Sequence, residues 1–211
     1  MNNLRYTLIV DGSSDRALLP IINWLLKSLG VKVAINGEWA DFRRLQRPPK
    51  TLEAKILKSI ELYEHFDILF IHRDAENQPR QNRVSEIRDA ESLIKNIVNF
   101  PIVCVIPIKM TEAWLLFDEM TIRKAAGNPK GKQELNLPKV TEIEKISDAK
   151  TKLKEILSNA SSNRSRRRQD DNIPIFRLAE MIDDFEPLRE LTAFQELEKE
   201  LKNTLISHQW I

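Results

Sequence analysis

The 211-residue chain has one cysteine and five glycines, and neither sign of charge is in clear excess. A single cysteine excludes an intramolecular disulfide and a zinc site built from several thiolates. Cys104 lies in the apolar run PIVCVIPI, where a small buried side chain is expected rather than a nucleophile. Because 33 Lys and Arg stand against 31 Asp and Glu, any nucleic-acid surface must come from local clusters of basic residues.

Long apolar segments are also absent. The first residues, MNNLRYTLIVDG, lack the apolar core and cleavage site of a signal peptide. No run reaches the roughly 18 apolar residues that a membrane span needs. The phosphate-binding patterns GxxxxGK[ST] and GxGxxG do not occur, which disfavours a nucleotide phosphotransferase. We therefore expect a cytoplasmic protein that makes no contact with a membrane.

The first half of the sequence alternates short apolar runs with segments of helical periodicity. The runs predict strands at residues 4–11, 31–35, 67–72 and 101–108, separated by helices at 14–30, 51–66 and 84–100. Strands that are apolar on both faces and alternate with helices are typical of a mostly parallel sheet. We therefore predict an α/β domain over residues 1–127, with helices on both faces of the sheet.

The second half of the sequence predicts only helices and loops. Residues 110–127 read as a helix closed by Gly127, and the polar segment 128–140, with its two prolines and one glycine, reads as a loop. Further helices are expected at 147–157 with Ser147 as N-cap, at 175–182, and at 192–206 with Thr192 and Gln195 in capping-box spacing. Residues 128–211 are thus predicted to form a helical C-terminal extension packed on the sheet domain.

Acidic residues follow three of the predicted strands. Asp11 follows the first, Asp74 and Glu76 follow the third, and Glu112 comes after the fourth. The carboxyl ends of parallel strands meet at one crevice, where Asp11 faces Asp74 and Glu76 if the chain stays extended. Clustered carboxylates without thiolates suit Mg²⁺ or Mn²⁺. The sequence therefore predicts a metal site formed by Asp11, Asp74 and Glu76.

A structural interpretation of the same acids remains open. Asp11, Ser13 or Ser14 is also suited to capping the helix that follows the first strand. Glu76 has arginines nearby in sequence and can pair with one of them on the surface.

Three segments, in this order, support a family resemblance: IVDGSSDRALLPII, FIHRDAEN and IPIKMTEAWLLFDE. They resemble the Toprim-type domain and, more narrowly, a family of small stand-alone Toprim-like proteins linked with bacterial anti-phage defence. The segment RLAEMIDDFEPLRELTAFQELEKEL resembles that family's closing helices, so the likeness covers nearly the whole chain. Toprim domains occur in topoisomerases, primases and the overcoming-lysogenization-defect nucleases, and the resemblance implies Mg²⁺-dependent phosphodiester chemistry.

The resemblance places a glutamate after the first strand and an Asp-x-Asp pair after the third. Here Asp11 occupies the glutamate position, and the pair is Asp74-x-Glu76 or, in the other register, His72-x-Asp74. The first register keeps three carboxylates; the second leaves two carboxylates and an imidazole, which is a poor Mg²⁺ ligand. Glu112 resembles the family's acid before its Ala-Trp-Leu-Leu run and is a candidate ligand or base.

Two residues between these acids have roles that depend on the site. Arg73 clamps a phosphate if the site is catalytic, or neutralises Asp74 or Glu76 if it is not. His72 is either a general acid or a hydrogen-bonded structural residue. The predicted catalytic residues are therefore Asp11, Arg73, Asp74, Glu76 and Glu112.

Basic residues cluster in two places. The segment WADFRRLQRPPK interleaves basic and aromatic side chains and reads either as a loop that grips a phosphate backbone or as a solvated loop. Together with a lysine after the fourth strand, it gives the predicted nucleic-acid-binding residues Arg43, Arg44, Arg47, Lys50 and Lys109. A second run, at Arg164 and Arg166 to Arg168, is expected either to contact nucleic acid or a partner or to be a solvated linker.

The sequence thus favours a Mg²⁺-dependent nuclease or a related enzyme that acts on phosphodiesters. The alternative is a non-catalytic module of the same fold that binds nucleic acid or a partner ATPase. The resemblance does not distinguish DNA from RNA, or single strands from duplexes.

Overall fold

The computed structural model describes residues 3–63, 65–76, 78–97, 99–161 and 175–211. Its centre is a four-stranded sheet with the order β2-β1-β3-β4, in which every neighbouring pair is parallel. The strands are β1 (Asn3–Ile9), β2 (Ala34–Trp39), β3 (Ile68–His72) and β4 (Ile102–Val105). The predicted α/β class with a parallel sheet is confirmed.

Helices connect the strands and make up most of the second half of the chain. They are α1 (Leu18–Ser28), α2 (Leu52–Leu62), α3 (Arg80–Ile94), α4 (Glu119–Ala125), α5 (Ala149–Ala160), α6 (Ile175–Glu180) and α7 (Thr192–Ser207). Short 3₁₀ turns cover Ser13–Ala17, Thr111–Leu115, Val140–Lys145 and Glu186–Glu190. Within the described ranges, no helix has both the length and the apolar character needed to cross a bilayer.

The alternation of side chains along the strands divides the core into two layers. Phe70 of β3 belongs to a buried cluster with residues of α1, which defines the α1 face of the sheet. Ile71, the next residue, belongs to a second cluster with residues of α2 and α3, which defines the α2/α3 face. Successive residues of a strand point to opposite faces, so the apolar runs of β3 and β4 are buried on both sides and helices cover both faces, as predicted.

The C-terminal helices contribute to the core of the α1 face. Leu153 of α5, Leu178 of α6 and Leu197 of α7 are buried in the same cluster as Phe70. Trp114 is fully buried there, with its ring centroid 5.5 Å from that of Phe194 in an edge-to-face arrangement. One continuous apolar layer therefore joins residues from both halves of the sequence.

The second strand differs most from its predicted position. The apolar run 31–35 suggested a strand there, but β2 begins at Ala34 and continues through polar residues to Trp39. Val31 is still tied to the end of α1, because its N–H donates to the carbonyl of Leu26. β2 lies at the edge of the sheet, where residues on one side meet solvent, so its alternating exposure replaces the apolar run that was expected.

Several element boundaries also shift. α3 begins at Arg80 rather than at residue 84, and the segment predicted as one helix at 110–127 is a 3₁₀ turn followed by α4. Asp148, not Ser147, caps α5 by accepting a hydrogen bond from the N–H of Thr151. The expected capping box at α7 does not form, because the Gln195 side chain donates to the carbonyl of Arg189 instead.

The outer edge of β4 is covered by side chains from two helices. Glu200 of α7 accepts a hydrogen bond from the N–H of Cys104 at 3.0 Å. Arg88 of α3 donates to the carbonyl of Ile102 at 3.0 Å and to the Glu200 carboxylate at 2.5 Å. This ion pair, the β4 clamp, therefore satisfies polar backbone groups that an edge strand leaves unpaired.

Candidate functional site

The carboxyl ends of β1 and β3 lie side by side, since the two strands pair in parallel with Ile9 opposite Ile71. Continuing that register brings Val10 beside His72 and Asp11 beside Arg73. Val10 lies in the cluster of the α1 face, whereas Ile9 lies in that of the α2/α3 face. Because side chains alternate along extended chain, Asp11 and Arg73 point to the α2/α3 side and His72 points to the α1 side.

The α2/α3 side carries an ion-pair network centred on Arg73. Its Nη1 donates to Oδ1 of Asp11 at 2.7 Å, and its Nη2 donates to Oε1 of Glu86 at 2.6 Å. Lys55 of α2 adds a contact from Nζ to Oδ1 of Asp11 at 3.3 Å. We call these four residues the Arg73 network. Arg73 thus neutralises Asp11 and Glu86 rather than Asp74 or Glu76, because the register places it beside Asp11.

The α1 side brings a different set of groups together. Nε2 of His72 lies 3.1 Å from Oδ1 of Asp74, and Nδ1 lies 3.6 Å from Oδ2 of Asp15. One ligand atom of each of the three residues lies within 4.8 Å of the others. We call this group the acid–histidine cluster. Among the residues that the structure describes, it is the set of His, Cys, Asp and Glu side chains grouped closely enough to hold a metal ion.

Local structure holds each member of the cluster in place. Asp15 lies in the 3₁₀ turn after β1, where Oδ2 accepts a hydrogen bond from the N–H of Gly12 at 2.9 Å. His72 is the last residue of β3 and is fully buried. Oγ1 of Thr111 lies 3.2 Å from Nε2 of His72 and so borders the cluster on the side of the 110–116 segment.

The imidazole of His72 is the most constrained group of the cluster. Burial acts to lower the pKa of His72, but the hydrogen bond with Asp74 and the charges of Asp15, Asp74 and Asp11 together raise it above its ordinary value. Nδ1 is buried and has no hydrogen-bond partner among the described residues. Either a proton or a metal ion held between the two carboxylates would offset their negative charge.

The negative charges of the acid–histidine cluster also act on Glu112. The side chain is buried, with only 4% of the residue exposed. Burial raises the pKa of Glu112, and the charges of Asp15 and Asp74 raise it further. Glu112 therefore holds a proton more readily than an ordinary glutamate, which suits a group that exchanges protons.

The three predicted metal ligands do not lie together in the structure. Asp74 belongs to the acid–histidine cluster, whereas Asp11 belongs to the Arg73 network. Glu76 lies outside the cluster because its own backbone is in the left-handed region with φ of 49°, so the extended chain does not continue through this residue. The Glu76 side chain is 68% exposed and pairs with Arg83 at 3.3 Å.

The sequence reasoning missed Asp15. The residue is only three positions after Gly12, and the chain folds back there so that the Gly12 N–H bonds its carboxylate. An acid in the first turn after a strand-end glycine is the signal that would have pointed to it, since such turns bring side chains back to the strand end. Asp15 takes the place in the cluster that was expected for Asp11.

The basic segment after β2 is a loop without regular helix or strand, as expected, and lies at the same end of the sheet. Arg44, Arg47 and Lys50 are exposed. Arg43 is paired with Asp41 through Nε–Oδ1 at 2.8 Å and Nη2–Oδ2 at 2.7 Å. This hydrogen bonding lowers the pKa of Asp41 to about 2.

Two other basic groups were predicted. Lys109 is half-buried in the segment between β4 and the turn Thr111–Leu115. The run at Arg164 and Arg166 to Arg168 lies outside the described residues.

Comparison of this chain with protein-family models, with curated proteins and with solved structures finds no match in any of the three. A function for the chain must therefore be inferred from the geometry of the strand ends.

Proposed function

We propose that the chain is a divalent-metal-dependent enzyme of Toprim type that acts on phosphodiester bonds of nucleic acid. Asp15, His72 and Asp74 are the residues that hold the metal ion in this proposal. The observation that carries it is the gathering of two carboxylates around the buried imidazole of His72, with one ligand atom of each residue within 4.8 Å of the others. Carboxylates held this close repel each other unless a proton or a cation lies between them.

The donor set favours one of the two expected metals. Mg²⁺ prefers oxygen ligands alone, whereas divalent transition metals, Mn²⁺ included, accept an imidazole more readily beside carboxylates. Two carboxylates and one imidazole therefore suit Mn²⁺ better than Mg²⁺. The Mg²⁺ expectation depended on three carboxylates, and the positions of Asp11 and Glu76 remove two of them from the cluster.

The chemistry of the site depends on the surrounding charges. A bound dication supplies Lewis-acid stabilisation of charge on a phosphoryl oxygen. Glu112 accepts or donates a proton at its carboxylate, for which a pKa above the ordinary value is suitable near neutral pH. Lys55 and Arg73 are already paired with Asp11 and Glu86, so attraction for a substrate phosphate comes from the exposed Arg44, Arg47 and Lys50.

One observation favours the non-catalytic alternative. Asp11 stands where the Toprim resemblance expects a glutamate, and it is held by both Arg73 and Lys55. A chain that had replaced metal binding by ion pairs would bind nucleic acid, or a partner such as an ATPase, without cleaving it. In both cases we place the protein in the cytoplasm with nucleic acid as its ligand, and a role in anti-phage defence belongs to the same proposal.

Metal binding and cleavage together test the proposal. We expect the wild-type chain to bind one Mn²⁺ in a calorimetric or electron-paramagnetic titration, and Asp74→Asn to weaken that binding about tenfold or more. Asp11→Asn is the matched control, because it removes the same charge from the Arg73 network and should weaken Mn²⁺ binding much less than Asp74→Asn does. Labelled DNA and RNA should be cleaved with Mn²⁺, and EDTA should stop the reaction.

The outcomes separate the two candidates. Nucleic-acid binding with no Mn²⁺ binding and no cleavage would support the non-catalytic module. Loss of Mn²⁺ affinity in Asp11→Asn but not in Asp74→Asn would move the metal to the other side of β3 and overturn the ligand set of Asp15, His72 and Asp74.

A further inference from the structure

A separate pocket opens at the carboxyl ends of β1 and β2. It is a cavity of about 240 Å³. Its apolar wall is formed by Val10, Trp39, Ala40, Phe42, Pro48 and Pro49. We call it the β1/β2 pocket. Typical sites for drug-sized ligands have volumes of roughly 300–1,000 Å³, so this pocket is suited to a smaller and largely apolar group.

The wall of the pocket is fixed by the end of β2 and the following loop. The N–H of Ala40 donates to the carbonyl of Leu8 at 2.9 Å, which keeps the chain paired with β1 beyond the end of the strand. The N–H of Asp41 donates to the hydroxyl of Tyr63 at 2.9 Å. Phe42 is only 9% exposed. The pocket is therefore largely preformed and does not depend on a ligand to order it.

Trp39 supplies an aromatic surface to this wall. The guanidinium of Arg43 lies 4.7 Å from the centroid of the indole ring and is held there by Asp41. The guanidinium of Arg16 lies 5.8 Å from the same centroid. Aromatic rings and guanidinium planes are the surfaces on which proteins stack unpaired bases, so this wall is chemically suited to a heteroaromatic ring.

The rim of the pocket is charged. Arg43 and Lys55 line it together with Asp11 and Asp41. The same loop exposes Arg44, Arg47 and Lys50, which add positive charge beside the rim. Apolar walls within a positively charged loop are the combination that single-stranded nucleic acid requires, because bases need surfaces to stack on and phosphates need cations.

A backbone group connects the pocket to the acid–histidine cluster. Gly12 lines the pocket, and its N–H donates to the carboxylate of Asp15 at 2.9 Å. Asp11, which also lines the pocket, bonds Arg73 at 2.7 Å, next to His72 in sequence. The pocket and the cluster therefore share the backbone of Gly12, which lines one and donates to the other.

We propose that the β1/β2 pocket receives one unpaired base of a single-stranded nucleic acid, whose adjoining phosphates lie along the basic loop that carries Arg44, Arg47 and Lys50. The inference rests on the proposed function and narrows its substrate class. A base within a duplex is stacked on both sides and must be unpaired before it can enter a pocket. The pocket thus selects single strands, or the unpaired ends of duplexes, over continuous double helix.

Binding without chemistry tests the inference independently of metal and cleavage. The probe is a fluorescein-labelled 12-mer of thymidylate, titrated with wild-type protein in EDTA and read by anisotropy. The two comparison ligands are an abasic 12-mer with the same phosphates and a blunt 12-base-pair duplex. We expect the base-containing single strand to bind about tenfold or more tightly than either comparison ligand, since base stacking contributes most of the difference.

A matched pair of variants locates the contact. Trp39→Leu keeps an apolar side chain but removes the aromatic surface, and we expect it to weaken binding of the thymidylate 12-mer about fivefold. Trp210→Leu makes the same change near the C-terminus, away from the pocket, and should bind like wild type. Arg44→Gln should weaken all three ligands alike and reduce the salt dependence, because it acts on phosphates.

Three results would overturn the inference. The first is equal affinity of the wild-type protein for the abasic and base-containing strands; the second is equal affinity for duplex and single strand. The third is absence of measurable binding to any of the three ligands. Since all measurements are made in EDTA, an inactive or metal-free protein gives the same answer, and the result does not depend on whether cleavage occurs.

Discussion

The two sides of the β1–β3 crevice balance acidic charge in different ways. On the α2/α3 side, Asp11 is paired with Arg73 and Lys55, and Glu86 is paired with Arg73 and Arg83. On the α1 side, two buried or half-buried aspartates meet a histidine, which carries a charge only when protonated. Guanidinium charges are permanent near neutral pH, whereas the charge on an imidazole is conditional. The first side is balanced by the chain itself, and the second requires a proton or an ion.

The largest effect is expected when His72, the residue whose positive charge depends on pH, is replaced. His72→Gln leaves Asp15 and Asp74 facing each other without a positive partner from β3. We expect it to lower the free energy of unfolding in EDTA by about 3 kcal/mol, since one partner of a buried ion pair is lost. Urea unfolding followed by circular dichroism measures the change. A loss below that of Arg73→Gln would contradict the difference between the two sides.

The two core layers should also differ in how the free energy of unfolding depends on alkaline pH. Burial raises the pKa of Cys104, on the α2/α3 face, from its ordinary value of 9.0 to about 12. A raised pKa in the folded state means that stability is full below pH 9 and falls as pH rises toward 12. The free energy of unfolding should therefore fall by about 1 kcal/mol per pH unit just above pH 9.

The α1 face provides the control for this titration. Burial also raises the pKa of Tyr6, whose ordinary value of 10.0 places its effect at higher pH than that of Cys104. Cys104→Ala should flatten the dependence between pH 9 and 10, and Tyr6→Phe should retain it. If the two variants have equal slopes in that interval, the thiol is not the group responsible.

The smallest effect on stability is expected on the α2/α3 side, where the chain's own cations neutralise the acids. Arg73→Gln removes one cation, but Lys55 remains beside Asp11 and Arg83 remains beside Glu86. We expect the variant to lose about 1 kcal/mol or less, as is usual for ion pairs that are partly open to solvent. The same urea titration measures it, and high salt should reduce the difference from wild type. A loss near that of His72→Gln would show that the remaining cations do not compensate.

Much of the architecture was readable from the sequence. The apolar runs of β3 and β4 predicted strands buried on both faces, and the structure has them. β2 was misplaced because an edge strand tolerates polar residues such as Asn36 and Glu38, which carry little signal in an apolar pattern. Helix starts shifted because capping depends on which of two adjacent residues reaches the turn, as with Ser147 and Asp148.

The site was predictable only in part. The convergence of the first and third strand ends was expected from the parallel order, and that expectation agrees with the register. Which side chains meet depends on the offset between the two strands, and the sequence does not contain that offset in readable form. Placing Ile9 opposite Ile71 puts Asp11 beside Arg73, whereas a shift of one residue would have put Asp11 beside His72. Glu76 lies outside the cluster because the backbone turns there, and the left-handed conformation of that turn has no obvious signal in the sequence.

The β4 clamp has a consequence for how this sheet could be enlarged. A strand from another molecule joins a sheet by pairing with free N–H and C=O groups along an edge. Arg88 and Glu200 already use the outward groups of Ile102 and Cys104. Addition of a fifth strand at that margin would first require two charged side chains to give up their contacts, so the clamp protects this edge from pairing with another chain.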